Sequence, residues 1–180
     1  MNPVCFIIGG CRSGKSGYAL ECATRMPGLR KLFVATCRPA DDEMRTRVHR
    51  HQQHRSQAWQ TLEVPLALAE ALQAQELHQD VILVDCLTLW ISNLMEKSGA
   101  NAHDHRVEQQ IEKLAARLEV VRCPVFVVSN EIGAGIVPQN GLARRYRDLV
   151  GLANQRVAAV AGRVVWTVAG IPVAVKGDLP

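Results

Sequence analysis

Short, continuous runs of apolar residues alternate along the chain with longer segments in which apolar residues recur every three or four positions. The short runs occupy residues 4–8, 32–35, 81–84, 125–128, 164–168 and 173–175, with a less regular run at 59–64. The helical spacing covers residues 18–26, 41–51, 66–77, 87–95, 107–121 and 142–160. Continuous apolar runs are typical of parallel strands buried on both faces, whereas the wider spacing indicates helices that pack on a sheet. The alternation therefore predicts an α/β fold of three layers with a mostly parallel central sheet.

The predicted strands end in residues that can carry chemistry. Ligands of open parallel sheets bind at the carboxyl ends of the strands. In this chain those ends carry a glycine-rich segment after the first strand, then Thr36, Asp85 and the pair Asn130 and Glu131. The sequence contains no linker, internal repeat or low-complexity segment, and we expect residues 1–180 to form one domain.

The glycine-rich segment fits the phosphate-loop pattern G-x-x-x-x-G-K-[ST] and lies between a predicted strand and a predicted helix. Glycines let successive backbone N–H groups turn toward a polyphosphate, and the helix N-terminus adds a favourable dipole. Lys15 would place its charge on the β- and γ-phosphates, and the Ser16 hydroxyl would coordinate Mg²⁺. A glycine-rich turn that binds nothing is the alternative interpretation. The predicted nucleoside triphosphate site comprises Gly9, Gly10, Cys11, Arg12, Ser13, Gly14, Lys15 and Ser16.

Three carboxylates are candidates for a role beside the phosphates. Asp85 follows four apolar residues, where a phosphate-loop protein keeps the carboxylate that helps to hold Mg²⁺, although it could also simply cap the next helix. Glu63 could recognise a base or ribose, or be an exposed strand residue. Glu131 could accept a proton from an attacking hydroxyl or hold a water molecule.

The segment between the second and third predicted strands is rich in arginine and histidine. It is interpreted as a basic solvated helix face or as the source of a nucleophilic histidine, while repulsion by the arginines disfavours a metal site. His51 shares a helical stripe with Met44 and Val48, whereas His49 faces about 200° away, so His51 is the better candidate. A second basic group, which either lines a phosphate path or forms a solvated face, comprises Arg144, Arg145 and Arg147.

Composition narrows the possible classes of protein. Hydrophobic residues make up 48% and aromatic residues 4%, which predicts an aliphatic core, with Trp59, Trp90 and Trp166 as core or interface residues. A net charge of +4 is mild and fits small anionic ligands. No apolar stretch approaches the ~20 residues needed to span a bilayer. The six cysteines form no C-x-x-C pair and no leader-like segment precedes the first strand, so we expect reduced thiols in a cytoplasmic protein.

Four ordered segments together resemble a known family. They are the phosphate loop, residues 41–63, residues 84–94 and residues 130–155. This pattern is similar to that of the bifunctional adenosylcobinamide kinase / adenosylcobinamide-phosphate guanylyltransferases of cobalamin biosynthesis. The resemblance implies a homotrimer of RecA-like phosphate-loop NTPase subunits. It also implies phosphorylation of adenosylcobinamide by ATP or GTP, followed by transfer of GMP from GTP through a covalent GMP–histidine.

The resemblance assigns roles to individual residues. His51 would be the guanylylated histidine, in agreement with its helical stripe, and guanylylation should fall at acid pH as His51 becomes protonated. Lys15 would act in catalysis, and Mg²⁺ would be held by Ser16 and Asp85. Besides the phosphate loop, the residues implied in nucleotide binding are Val34, Ala35, Thr36, Gln52, Gln53, His54, Arg55, Glu63 and Asp85.

Three competing functions remain open on sequence grounds. A regulatory GTPase would carry N-K-x-D for guanine, and the sequence has no such motif. A RecA-like ATPase acting on nucleic acid would use the basic segment and bind with a steep salt dependence, but we expect no nucleic-acid binding. A small-molecule kinase of the same fold would lack the transferase step.

Overall fold

The computed structural model describes residues 2–38, 58–99 and 104–180, which form seven strands and five helices. The strands are β1 (Val4–Gly9), β2 (Lys31–Ala35), β3 (Trp59–Glu63), β4 (Val81–Asp85), β5 (Val125–Asn130), β6 (Arg163–Val168) and β7 (Ile171–Lys176). The helices are α1 (Lys15–Arg25), α2 (Leu68–Gln75), α3 (Leu87–Ser98), α4 (His105–Glu119) and α5 (Gly141–Val160). The helix predicted within residues 41–51 lies outside the described residues.

The strands form one sheet in the order β3-β2-β4-β5-β1-β6-β7. Every neighbouring pair is parallel except β6 and β7, which form an antiparallel hairpin at one edge. β5 lies between β1 and β4, and the register places Gly9 opposite Asn130 and Asp85 opposite Val128. The predicted mostly parallel sheet is confirmed, and its six parallel strands end at one carboxyl edge.

Two apolar clusters flank the sheet and make the fold three layers deep. Side chains of α2, α3, α4 and α5 pack with alternate sheet residues such as Phe6 and Val84 in the larger cluster. α1 contributes Ala19, Cys22 and Ala23 to the other cluster, on the opposite face. A fully buried aliphatic side chain in such a core stabilises the fold by about 1.5–3 kcal/mol. The aliphatic core and three-layer arrangement agree with the prediction from the sequence.

Helix α4 illustrates how the sequence pattern builds one layer. Val107, Ile111, Leu114 and Leu118 recur at three- and four-residue intervals and are all buried, whereas the intervening residues are mostly exposed. Such a stripe drives a helix to pack by one face. The helix begins at His105, two residues before the first apolar residue of this stripe.

Two other boundaries differ from the predicted ones. α2 begins at Leu68 rather than at residue 66, because the Leu66 carbonyl accepts a hydrogen bond from Trp90 Nε1 at 2.8 Å. β7 begins at Ile171, because the turn of the hairpin is only Ala169 and Gly170, both with positive φ. Within the described ranges, no helix is both long and apolar enough to cross a membrane.

Candidate active site

The phosphate loop folds back over its own lysine. Gly14 lies at the N-cap of α1 with a φ of 91°, a conformation that favours glycine, and it has no side chain with which to cap the helix. Lys15 is the first residue of α1 and is only 9% exposed, and its Nζ donates to the Gly10 carbonyl at 3.1 Å. The first-turn amides of a helix have no partners within the helix, so this end of α1 is suited to bind an anion.

The β6–β7 hairpin braces the loop from the other side. Ser13 Oγ lies 3.0 Å from Thr167 Oγ1, and the Gly170 amide donates to the Ser13 carbonyl at 2.9 Å. A Cβ on Gly9 would lie 2.4 Å from Thr167 Oγ1 and 2.5 Å from Ser13 Oγ. Glycine at position 9 is therefore required by the close approach of β6 and not only by the loop itself.

Asp85 ends β4 and lies beside the phosphate loop across one intervening strand. Burial raises the pKa of the neighbouring Cys86 thiol to about 11; the Asp85 carboxylate also raises it, while Lys15 lowers it. Both charged groups therefore act on the same buried thiol. The structure brings the loop that carries Lys15 and the strand end that carries Asp85, 70 positions apart in the sequence, to the same edge of the sheet.

Thr36 fixes the turn that follows Asp85. Its Oγ1 donates to the Cys86 carbonyl at 2.7 Å and accepts from the Cys86 amide at 2.8 Å. The Thr36 carbonyl in turn accepts from Asn93 Nδ2 at 2.7 Å, and the Thr36 residue is 0% exposed. The Thr36 hydroxyl thus donates its hydrogen to the Cys86 carbonyl inside the protein. Direct contact between Thr36 and a nucleotide stays a prediction.

Thr88 extends this polar network toward β5 and α5. Its Oγ1 is hydrogen-bonded to Cys86 Sγ at 2.9 Å and accepts from Asn130 Nδ2 at 3.2 Å. Its carbonyl accepts from Tyr146 Oη at 3.1 Å. Sequence reasoning missed Thr88, Asn93 and Tyr146 as site-building residues. Asn93 gave the one available signal, since it is a polar residue on an otherwise apolar stripe of α3.

The other predicted nucleotide residues are spread along the carboxyl edge. The Val34 side chain is 1% exposed within the larger apolar cluster, Ala35 is half-buried, and Glu63 is exposed at the end of β3. β3 is four strands from β1, which at about 4.8 Å per strand gives a distance of roughly 19 Å across the sheet. The predicted residues outside the described part of the chain are His51, Gln52, Gln53, His54 and Arg55.

The proposed metal ligands have the chemistry that Mg²⁺ requires. Ser16 is half-buried in the first turn of α1, and Asp85 is half-buried at the end of β4. Hydroxyl and carboxylate oxygens are preferred Mg²⁺ ligands, and sites of this kind use few protein groups together with water and phosphate oxygens. Among the described residues no cluster of three or more His, Cys, Asp or Glu side chains could hold a metal alone. The donor set therefore fits a Mg²⁺ ion that arrives with a nucleotide.

The second group of arginines is occupied by structural contacts. Arg145 forms an ion pair with Asp104 at the start of α4, and Arg147 donates to the Gly133 carbonyl. Arg144 donates to the carbonyls of residues 138 and 139 at 3.0 and 2.6 Å. Glu131 accepts from the Gly133 amide at 2.5 Å. Arg144, Arg147 and Glu131 thus hold the loop between β5 and α5, whereas Arg145 joins α5 to the start of α4, and this placement gives no support to a phosphate path.

The family is shown by similarity along almost the whole chain. Residues 5–175 match the family described as CobU, cobinamide kinase / cobinamide phosphate guanyltransferase. The chain belongs to this family. It is 40% identical over 172 residues to the bifunctional adenosylcobalamin biosynthesis protein CobP of Pseudomonas aeruginosa, covering 96% of each chain. It is 37% identical over 181 residues to the bifunctional CobU protein of Salmonella typhimurium, covering 94% of this chain and 98% of that one.

A solved structure supports the fold independently. The chain is similar to an ATPase from the type III secretion system of pathogenic bacteria, with a TM-score of 0.57 and 9% identity, covering 95% of this chain and 56% of that chain. At this identity the likeness concerns the fold alone. It agrees with the predicted RecA-like phosphate-loop architecture of this CobU-family chain.

Proposed function

We propose that this chain phosphorylates adenosylcobinamide with ATP or GTP and then transfers GMP from GTP onto the new phosphate, forming adenosylcobinamide-GDP and pyrophosphate. The observation that carries the proposal is the family match over residues 5–175 combined with a phosphate loop that lies at the same sheet edge as Asp85. Relatives of similar length are named bifunctional, which favours this proposal over a kinase without transferase activity.

In the first step an oxygen of the acceptor hydroxyl attacks the γ-phosphorus, the bond to the β-phosphate oxygen breaks, and the hydroxyl proton leaves to solvent or a nearby base. Lys15 and the first-turn amides of α1 are suited to stabilise the charge on the phosphates. Mg²⁺ held by Ser16 and Asp85 would supply further neutralisation of phosphate charge. The loop itself contributes mainly positioning.

In the second step a neutral imidazole nitrogen of His51 attacks the α-phosphorus of GTP, and pyrophosphate leaves. A phosphate oxygen of the phosphorylated acceptor then attacks the same phosphorus, and the phosphorus–nitrogen bond breaks. The distance of about 19 Å from β1 to β3 suits a GTP whose triphosphate lies on the loop and whose nucleoside points toward Glu63. The remaining contacts assigned by resemblance are Val34, Ala35, Thr36, Gln52, Gln53, His54 and Arg55.

Thr36 is proposed to serve the site by holding the turn after Asp85, because its hydroxyl is bonded to the Cys86 backbone. We further propose one domain over residues 1–180, a homotrimer and a cytoplasmic location. All six cysteines are free thiols, and four of them are buried.

Two isotopic labels separate the two reactions. With adenosylcobinamide, γ-labelled ATP should label the corrinoid in the wild type and in His51→Ala. Unlabelled ATP with α-labelled GTP should label the corrinoid in the wild type only. No transfer from either nucleotide would contradict the proposal. Transfer from γ-labelled ATP alone in the wild type would leave the kinase without the transferase.

A further inference from the structure

A cavity of about 690 Å³ opens between α3 and the first turns of α5. Its walls are Ser92, Met95 and Glu96 from α3 and Leu142, Ala143 and Tyr146 from α5. The volume is within the roughly 300–1,000 Å³ of small-molecule pockets, and an apolar surface with a few polar groups is the usual lining of such sites.

The cavity is joined to the carboxyl edge of the sheet by its tyrosine. Tyr146 Oη donates to the Thr88 carbonyl at 3.1 Å, and burial raises the pKa of this phenol to about 12, so it remains a neutral donor. Thr88 is three residues after Asp85, a separation of at most about 10 Å along the chain. Tyr146, whose ring forms part of the cavity wall, is thus hydrogen-bonded through its hydroxyl to the segment that follows the proposed metal ligand Asp85.

The two helices that form this cavity follow strands that lie between the phosphate loop and the nucleoside end of the proposed GTP site. α3 follows β4 and α5 follows the loop after β5, and these two strands lie between β1 and β2. In the proposed function the γ-phosphate lies on the loop after β1, and the nucleoside extends toward β2 and β3. An acceptor held between α3 and α5 could therefore present its arm to the γ-phosphorus and later to the α-phosphorus.

We propose that this cavity is the acceptor site and that it takes the edge of the corrinoid macrocycle, an apolar ring with amide arms and a net positive charge. Met95, Leu142 and the Tyr146 ring provide the apolar contact, and Leu142 is 55% exposed, which leaves its side chain open to a ligand. Ser92 and Glu96 can accept hydrogen bonds from amide arms, and the Glu96 carboxylate complements the positive charge. This assignment rests on the proposed function.

The charge of the cavity argues against a second nucleotide there. Glu96 is the one charged side chain among the described lining residues, and a carboxylate would repel a triphosphate. The phosphate loop, with Lys15 and the first turn of α1, already offers a site suited to nucleotide phosphates.

The test fills the cavity without touching the nucleotide residues. Ser92→Trp places a large ring in the cavity, and Ala116→Trp, at an exposed position of α4 away from the cavity, is its matched control. Glu96→Gln removes the charge, with Glu119→Gln at the exposed end of α4 as control. The KM for adenosylcobinamide is measured in the kinase reaction at saturating ATP, together with the KM for ATP and the labelling of the protein by α-labelled GTP.

We expect Ser92→Trp to raise the corrinoid KM at least about tenfold and Glu96→Gln to raise it about threefold, with the nucleotide readouts unchanged. The controls should match the wild type. An unchanged corrinoid KM in both cavity variants overturns the assignment. This holds also if Ser92→Trp changes the mass of the oligomer while the corrinoid KM stays the same, because the cavity would then be a subunit contact. An equal change in the ATP KM also overturns it.

Failure of the proposed function has a different outcome. If the wild type binds GTP but never modifies the corrinoid, the function fails, and equilibrium dialysis of cobinamide then decides the site. Binding that Ser92→Trp abolishes supports the cavity, and absence of binding to the wild type overturns it.

Discussion

The phosphate loop and the turn after β4 face the same edge of the sheet, but different interactions hold them in shape. The loop is shaped largely by local contacts, since Gly14 has a positive φ and Lys15 donates to the carbonyl of Gly10, five residues earlier, while the β6–β7 hairpin braces it at Ser13. The β4 turn is held by side chains from afar. Thr36 reaches Cys86 across 50 positions, and Asn93 reaches Thr36 across 57.

Because different contacts hold the two regions, we expect substitutions in them to have different effects. A local motif fails when one of its own residues is changed, and its failure affects chemistry first. A network of distant contacts fails when any buried partner is removed, and its failure affects stability first, because unpaired buried polar groups are costly.

The largest effect should come from Lys15. Lys15→Ala removes the charge expected on the phosphates, and the rate of γ-phosphate transfer should fall about 10²–10³-fold with the melting temperature nearly unchanged. Initial rates with γ-labelled ATP measure this, with Lys97→Ala on the exposed surface of α3 as control. A fall of less than threefold in this rate would contradict a role of Lys15 in phosphate transfer.

Gly9 tests whether the loop also depends on the hairpin behind it. Gly9→Ala puts a Cβ 2.4 Å from Thr167 Oγ1, an overlap that should cost about 1–3 kcal/mol in the free energy of unfolding. Gly17→Ala, whose Cβ meets nothing within 4 Å in α1, should instead stabilise by roughly 0.5–1 kcal/mol. Urea denaturation compares them, and equal stabilities would contradict the account of Gly9.

Thr36 tests the network at the other region. Thr36→Val leaves the Cys86 amide and carbonyl without their side-chain partner and should cost about 2 kcal/mol in the free energy of unfolding. Thr36→Ser keeps the hydroxyl and should stay within about 1 kcal/mol of the wild type. If valine and serine behave alike in urea denaturation, the hydroxyl does not hold the turn.

The smallest effect contrasts two cysteines, one in each region. Cys11 is exposed in the loop, whereas burial raises the pKa of Cys86 to about 11. Since the thiolate is the reactive form, iodoacetamide at pH 8 should label Cys11 and spare Cys86, and Mg²⁺ with GTP should slow the labelling of Cys11. Mass spectrometry of peptides reads both sites. Labelling of Cys86 at the rate of Cys11 would contradict the buried turn.

The same contrast explains how much could be predicted from the sequence. Gly14, Lys15 and Ser16 belong to a motif whose geometry is local, and the buried runs predicted the parallel sheet, but the packing of Thr167 against Gly9 could not be predicted. The strand order could not be predicted, because the same runs suit many orders. The contacts of Thr36 with Cys86 and of Tyr146 with Thr88 join residues 50 and 58 positions apart, and the local pattern holds no trace of them.

Trp166 shows a further limit of the pattern. It lies in an apolar run, but it is 46% exposed, and on the same hairpin Val173 is 45% exposed. Trp166 pairs with Val173 in the hairpin at the edge of the sheet. A run of apolar residues therefore does not by itself predict that a strand is buried.

The most direct test of the account is a covalent label on His51. The wild type is incubated with Mg²⁺ and α-labelled GTP and run on a denaturing gel beside His51→Ala and His49→Ala. The account predicts acid-labile label on the wild type and on His49→Ala, and none on His51→Ala. Label that persists in His51→Ala, or a wild type that takes up none, would contradict it.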